Sequence, residues 1–298
     1  MDFRLKVFYT VAVRLNFTKA AAELYISQPA VSKHIQELEE TYKTKLFERN
    51  GSKIALTPAG HLLLQHTKSI FDIYRDIEFD MSSFVTKRQG LLRLGASTTL
   101  SQYVISPILA RFHEKEKGIT IQLINGNTEQ IENALINKEI EVGVVEGQSK
   151  NQSIKYLPFL KDELVLVCRF AHSLANKNEI TLEELKKLRL LTRERGSGTL
   201  EVIEHALKQQ NVKLTDLQIE MQLGSTESIK SYLLHSDCFA FMSIHAVSKE
   251  LKNKELTVID VENLSIERSF FCITLVGKSD TLSELFIRSI SDYYNLEL

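Results

Sequence analysis

The stretch Phe17–Glu40, FTKAAAELYISQPAVSKHIQELEE, permits few arrangements. Ala20, Ala21 and Ala22 let a second helix approach closely. Tyr25-Ile26 interrupts the helical pattern, Ser27 stands where it can cap a new helix, and Pro29 is tolerated in that helix's first turn. Over 28–42, Val31, Ile35 and Leu38 share one face. Pro29, Lys33, Gln36 and Glu40 project from the other, with Gln28 and Ser32 on its flank. Upstream, Leu5, Phe8, Ala12 and Leu15 recur at helical spacing and predict a helix over 3–15. Thr18 is predicted to cap a short helix over 19–25.

A short helix held through alanines against a longer one is the helix-turn-helix arrangement. It leaves the second helix's N-terminus and polar face free to enter a major groove of double-stranded DNA. Gln28, Ser32, Lys33 and Gln36 carry side chains that reach base edges or phosphates. Leu46–Thr57, LFERNGSKIALT, reads as a hairpin around Asn50-Gly51 flanked by Arg49 and Lys53, which makes the unit a winged helix-turn-helix. Charge agrees with this reading. Residues 1–68 hold ten Lys and Arg against six Asp and Glu, while the whole chain of 298 residues has a net charge of −1.

The run NFTKAAAELYISQPAVSKHIQELEETYKTKLFERNGSKIALTPAG closely resembles the N-terminal signature of LysR-type transcriptional regulators, nearly without gaps over residues 1–65. The resemblance implies DNA contacts at Thr18, Ser27, Gln28, Ser32, Lys33, Arg49 and Lys53. It assigns no role to His34.

Thr57 and Pro58 predict the start of a long helix, since Pro is favoured at the first helical position. From His61 to Gln89 there is neither Gly nor Pro. Leu63, Ile70, Ile77 and Phe84 fall seven apart, with Ile73 and Met81 filling the second seam. That heptad argues for pairing with a second copy of the chain, against the alternative of packing on its own domain. A two-fold pair of readers demands an inverted-repeat operator with half-sites about 34 Å, or a multiple of it, apart. The resemblance adds assembly to a homotetramer, and RNA polymerase is a further candidate partner. TKRQG (86–90) is expected to close the helix. The resulting plan is a DNA-binding domain over 1–58, a linker and dimerisation helix over 59–89, and an effector-binding domain over 90–298.

Residues 91–298 alternate strand-like and helix-like patterns, as in a parallel α/β sheet. Strands are expected at 91–96, 120–125, 141–146, 162–168, 188–192, 217–223, 238–242 and 267–276, and a closing helix at 281–295. The pattern yields two α/β blocks but not the crossing between them. The resemblance supplies a two-lobed fold like that of periplasmic binding proteins, with lobe I over 91–161 and 268–295 and lobe II over 162–267. The expected fold class is therefore α/β with an N-terminal all-α winged helix-turn-helix.

Ligands of open α/β sheets sit beyond the carboxyl ends of strands, at helix N-termini. GASTTLSQ places Ser97, Thr98 and Thr99 there, with Gln102 one turn on. TRERGSGT places Thr199 there with Arg193 just before it, and LGSTES places Ser225 and Thr226. Hydroxyls, free amides and a guanidinium suit a small anion. GSTT-like and RERGSGT stretches also resemble the branch of the family that controls sulfur assimilation or carbon fixation. That resemblance implies effector contacts at Ser97, Thr98, Thr99, Gln102, Asn127, Glu146, Thr199 and Thr226. Arg195 stands where the branch often has Pro.

No motif assembles a nucleophile with an acid–base group, and GSGT lacks the lysine of a phosphate-binding loop, so the chain does not read as an enzyme. No metal-type spacing and no cofactor motif is present. Cys168, Cys238 and Cys272 lie far apart in apolar stretches and read as reduced core thiols. A thiol-based redox regulator using Cys168 or Cys238 is one alternative. A solute-binding protein is the other, opposed by a start, MDFRLKVF, without signal-peptide character, which points to the cytoplasm and to no membrane partner.

Overall fold

Apolar side chains at helical spacing draw three helices together at the N-terminus: α1 (Phe3–Arg14), α2 (Phe17–Leu24) and α3 (Gln28–Tyr42). They meet over Val7, Phe8, Val11, Ala20, Ala21, Val31, Ile35 and Leu38. The computed structural model describes residues 2–50, 53–82, 89–148, 150–277 and 280–294, and the chain divides into two units, Met1–Thr86 and Lys87–Leu298. Ser27 caps α3 as its spacing predicts, its Oγ accepting from the Ala30 amide at 3.3 Å. The cap of α2 differs from the expectation. Asn16 accepts from the Lys19 amide at 2.9 Å, and Thr18 lies exposed within the first turn. Leu15 is outside α1, exposed and left-handed at φ 44°.

β1 (Phe47–Asn50) and β2 (Lys53–Leu56) pair antiparallel with Asn50 opposite Lys53. Gly51 of the predicted Asn50-Gly51 turn, and the side chains of Arg49 and Lys53, lie outside the described residues. α4 (Pro58–Ser82) follows, capped by Thr57, whose Oγ1 accepts from the Gly60 amide at 3.0 Å. Gly60 is needed there because a Cβ would come within 2.1 Å of the Leu46 carbonyl oxygen. Of the predicted heptad, Leu63 packs against the N-terminal core instead of standing free, and Ile70 is half-buried. Ile77 is exposed together with Ile73 and Met81. Phe84 and residues 86–88 of the expected helix end lie outside the described residues.

In the second unit, β3 (Gly90–Ser97), β4 (Ile119–Gly126) and β5 (Val142–Glu146) run parallel, linked by α5 (Thr98–Tyr103), α6 (Ile105–Lys115) and α7 (Thr128–Ile136). α12 (Thr281–Tyr294) returns to this block, and Phe286 meets Phe112 edge to face at 5.4 Å. β6 (Ile154–Arg169) and β13 (Glu267–Leu275) are antiparallel neighbours that leave the first block together. Between them the chain forms a second block. It comprises β7 (Glu179–Ile180), α8 (Leu182–Leu185), β8 (Arg189–Arg193), α9 (Gly198–Gln209), β9 (Gln218–Leu223), α10 (Thr226–Leu234), β10 (Ala240–Ser243), α11 (Ile244–Lys252), β11 (Leu256–Val258) and β12 (Asp260–Val261). The main sheet runs β10-β6-β13-β5-β3-β4 with β11 also on β6, while β8 pairs in parallel with β9.

β6 begins eight residues before the strand expected at 162. Pro158 and alternating charges hide it in the sequence, and the structure accommodates them at a register shift between Phe270 and Phe271. Each block has its own core. Ile131, Leu135, Val145 and Ile273 fill the first (lobe I), and Leu164, Leu190, Ile203, Leu207, Phe239 and Ile266 the second (lobe II).

Candidate functional site

On the N-terminal unit, α3 buries Val31, Ile35 and Leu38 and so turns Gln28, Lys33 and Gln36 to solvent, with Ser32 half-buried at the edge. Gln28 donates to Ser32 Oγ at 2.9 Å, and Gln36 donates to Glu40 Oε1 at 2.9 Å. These one-turn pairs hold the amides along the helix surface. Thr18 and Ser27 are exposed at the N-terminal ends of α2 and α3. The face therefore offers amides, hydroxyls and a lysine on a rigid helix, the donor set that reads base edges and phosphates.

On the second unit, the strand ends of both lobes converge on a buried polar cluster. Ser97, Thr98 and Thr99 come from the β3–α5 junction and Glu146 from the end of β5. Arg193 ends β8, Thr199 opens α9 and Thr226 opens α10. All seven are buried. The lobes touch backbone to backbone here. A Cβ on Gly198 would fall 1.9 Å from the Glu146 carbonyl oxygen, so glycine alone permits this approach.

Hydrogen bonds cross the lobe boundary throughout the cluster. Thr99 Oγ1 and Thr226 Oγ1 are 3.2 Å apart. Arg193 donates through Nη2 to Thr98 Oγ1 at 3.4 Å and through Nη1 to Thr226 Oγ1 at 3.3 Å. Its Nε and Nη2 also reach the Glu194 carboxylate at 2.9 and 3.0 Å. Burial pushes the Glu194 carboxyl up, but the Arg193 guanidinium outweighs it and holds the group below its ordinary value. Glu146 accepts from Ser97 Oγ and, at 3.2 Å, from Thr199 Oγ1. Asn127 caps α7 and donates to Glu194 Oε1 and the Arg195 carbonyl, both at 3.3 Å. Gln102 differs from the rest, being exposed.

Arg268 was missed by sequence reasoning, and it sits at the centre. It stands on β13 opposite Asp162 on β6 and donates through Nε to Asp162 Oδ2 at 2.7 Å. Its Nη1 donates to Thr199 Oγ1 at 2.9 Å and lies 3.7 Å from Glu146 Oε1. Ser243 Oγ completes Asp162 at 2.7 Å. Nη2 of Arg268 is buried without a hydrogen-bond partner, a donor left over after two carboxylates are served. The available signal was a charged residue inside an otherwise apolar strand, in IERSFFCITLV.

A second cross-lobe contact flanks the cluster. Tyr103 on α5 donates to Glu227 on α10, and Lys230 bridges Glu227 at 2.9 Å and Glu250 at 3.0 Å. The thiols are elsewhere. All three cysteines are buried and free, and burial pushes Cys168 up to about 11. At Cys168 that burial suppresses the thiolate a redox sensor needs.

Comparison with known proteins matches this geometry. Residues 3–61 match the family described as bacterial regulatory helix-turn-helix protein, lysR family, and residues 86–294 match the LysR substrate binding domain. The chain is 28% identical over 295 residues to the HTH-type transcriptional regulator CysL of Bacillus subtilis, covering 99% of this chain and 98% of that protein. It is 31% identical over 291 residues to a probable RuBisCO transcriptional regulator of Synechocystis, covering 96% and 84%. The regulatory domain of Synechocystis CcmR, solved in complex with 2-PG, superposes with a TM-score of 0.63 at 29% identity, covering 69% of this chain and 98% of that one. With a helix-turn-helix that presents its polar face and a two-lobed domain closed over buried hydroxyls and arginines, the chain belongs to the LysR family of transcriptional regulators, in the sulfur-assimilation and carbon-fixation branch.

Proposed function

We propose that this regulator senses a small anion of sulfur or central carbon metabolism in the cleft between its lobes and converts cleft closure into a change in bound DNA. The observation that carries the reading is the buried set of hydroxyls around two guanidiniums, with Arg268 Nη2 still uncommitted. Guanidiniums match carboxylate, phosphate and sulfate in a forked geometry, and a dry site strengthens the contact. The CcmR domain's 2-phosphoglycolate, an anion of this class, supports the assignment. Ser97, Thr98, Thr99, Thr199, Thr226 and Arg193 would hold the anion. Glu146 and Asn127 would order the site, and Gln102 would join it from the surface.

Thr18, Ser27, Gln28, Ser32, Lys33 and Gln36 would contact the operator, with Arg49 and Lys53 on the wing. The exposed Ile73, Ile77 and Met81, with Ile70, would pair α4 with a second copy, giving a homodimer that reads an inverted repeat and assembles further to a tetramer. Domain bounds of 1–58, 59–89 and 90–298 follow from these roles. Among the described residues no helix is long and apolar enough to cross a membrane, and the cytoplasm is the compartment where such a regulator meets both DNA and metabolite. RNA polymerase would be the downstream partner. Ligand coupling of this kind is typically worth about 1–3 kcal/mol between the two DNA-bound states.

The test is a thermal-shift screen against sulfate, sulfite, thiosulfate, phosphate, O-acetylserine and small phosphorylated sugars and acids. A true effector at about 100 times its dissociation constant stabilises by about 2.7 kcal/mol, and Thr98→Ala should abolish the shift. A panel without any shift would remove the anion reading while leaving the family assignment intact.

A further inference from the structure

A hydroxyl has one proton to donate. In the cluster between the lobes, the hydroxyls of Ser97, Thr98, Thr99, Thr199 and Thr226 have given most of theirs away. Ser97 Oγ and Thr199 Oγ1 donate to the Glu146 carboxylate, and Thr98 Oγ1 donates to the Gly126 carbonyl at 3.0 Å. Thr99 and Thr226 share one bond, in which one hydroxyl donates to the other. These bonds leave one of the five protons for an incoming anion.

Charge points the same way. Arg193 is paired with Glu194, while Arg268 is paired with Asp162 and lies 3.7 Å from Glu146, so three carboxylates face two guanidiniums. Glu146, Asp162 and both arginines are at most 5% exposed, and water screens little of that surplus. An anion added to the cluster enlarges the surplus. Exchange for the Glu146 carboxylate offsets the incoming charge.

Glu146 is also placed as a ligand would be. It ends β5 in lobe I, and Thr199 reaches it from the start of α9 in lobe II, so its carboxylate bridges the lobes. Its backbone is pinned by Thr128 Oγ1, which donates to its carbonyl at 2.7 Å, and by Gly198 packed against that carbonyl. Exchange therefore turns the side chain and leaves the strand in place.

We propose that Glu146 is a tethered anion: its carboxylate holds the protons of Ser97 and Thr199 across the lobe boundary, and the effector binds by taking those donors from it. The inference rests on the anion reading above and gives Glu146 a competing role beyond ordering the site. The bridge passes from a side chain to the effector, and the effector's affinity is the difference between two anions for one set of donors.

The experiment is calorimetric titration of the full chain with sulfate, inorganic phosphate and 2-phosphoglycolate. Wild type, Glu146→Gln, Glu146→Asp, Ser97→Ala and Glu146→Gln/Ser97→Ala are compared, and melting curves establish that each folds. Glu146→Gln keeps the shape and loses the charge, and should bind the responding anion about tenfold more tightly. Glu146→Asp keeps the charge but draws the carboxylate back by one methylene, and a severalfold gain is expected there too. Ser97→Ala should change the affinity of wild type by no more than about twofold, because Ser97 serves Glu146 before binding and the anion after it. In the Glu146→Gln background the same change should weaken binding severalfold. A gain in Glu146→Gln alone, with Ser97→Ala costing the same in both backgrounds, reduces the effect to charge and overturns the exchange. Equal or weaker binding in both Glu146 variants overturns it too, while leaving the anion reading in place. Binding of none of the three anions to any of the proteins overturns the anion reading and this inference with it. If Glu146→Gln does not fold, the Glu146→Asp affinity decides, a gain supporting the exchange and no gain overturning it.

Discussion

A guanidinium that serves Asp162 through Nε and lies beside Glu146 through Nη1 cannot be removed without leaving two carboxylates buried together. Arg268→Met is expected to lower stability by about 3–5 kcal/mol, read from urea midpoints, because breaking a buried pair strands its partner. Arg268→Lys should recover much of that stability yet still fail to respond to the effector anion, since an ammonium cannot supply the forked donors. A Met variant as stable as wild type would show that Arg268 does not hold the carboxylates. On the DNA face, Lys33→Ala should weaken binding to all sequences alike and lower the slope of log affinity against log salt by about one. An unchanged slope removes Lys33 from the interface. The two residues also mark how far the site was legible. Lys33 stands out because a surface helix declares its polar face by period. Arg268 does not, because its position in an apolar strand makes sense only once β6 is known to lie opposite with Asp162.

At the scale of elements, α1, α2 and α3 all end in non-glycine residues with positive φ: Leu15, Tyr25 and Lys43 at 44°, 55° and 50°. Glycine is the usual residue at such ends because an L side chain is strained there. Lys43→Gly, exposed and away from α3's N-terminal half, is expected to raise the melting point of the N-terminal unit, by about 0.5–1 kcal/mol in stability. A lowered midpoint would mean that the lysine's packing outweighs its strain. The Tyr103–Glu227–Lys230 bridge between α5 and α10 predicts a pH effect. Burial raises Glu227, but hydrogen bonds from Tyr103 and Lys230 outweigh it and leave the carboxyl below its ordinary value. A folded value below the unfolded one contributes stability above the unfolded pKa and loses it as pH falls through the folded pKa. Wild type should therefore lose more stability than Tyr103→Phe on acidification below the usual Glu range near about 4.3, by under about 1 kcal/mol since Glu227 is half exposed. Parallel pH curves for the two proteins would rule the bridge out. Helical elements were read well from the sequence because caps and period are local, as Ser27 and the span of α3 show. The cap of α2 went to Asn16 over Thr18, two neighbours that both qualify chemically, and β6 was cut short because Pro158 argues against a strand unless the bulge beside it is known.

For the whole molecule, the exposed Ile73, Ile77 and Met81 put the dimer reading at risk in one substitution. Ile77→Glu should shift sedimentation toward smaller species and shorten the operator footprint to one half-site. A variant that keeps its assembly and footprint would move the dimer interface elsewhere. The heptad from which this reading came was only partly sound. Leu63 turns inward to its own core, a choice that depends on α1 packing nearby and leaves no trace in spacing. The two α/β blocks were legible as alternating patterns, whereas their crossing was not, since strand pairing between 154–169 and 267–275 spans more than a hundred residues of chain.

That crossing means lobe II is an insertion within lobe I. β3 to β5 are synthesised before lobe II, yet their layer lacks β13 and the α12 helix that sets Phe286 against Phe112 until all of lobe II has been made. During translation the second lobe can close around its own core while the first waits with an unpaired β5 edge and an uncovered face on α6. A chain stopped just before Thr281 would therefore lack the helix that covers α6, and the lobe begun first would be the one left incomplete. Nascent chains of this regulator are expected to depend on chaperones longest at lobe I, although its first strands are made before any of lobe II.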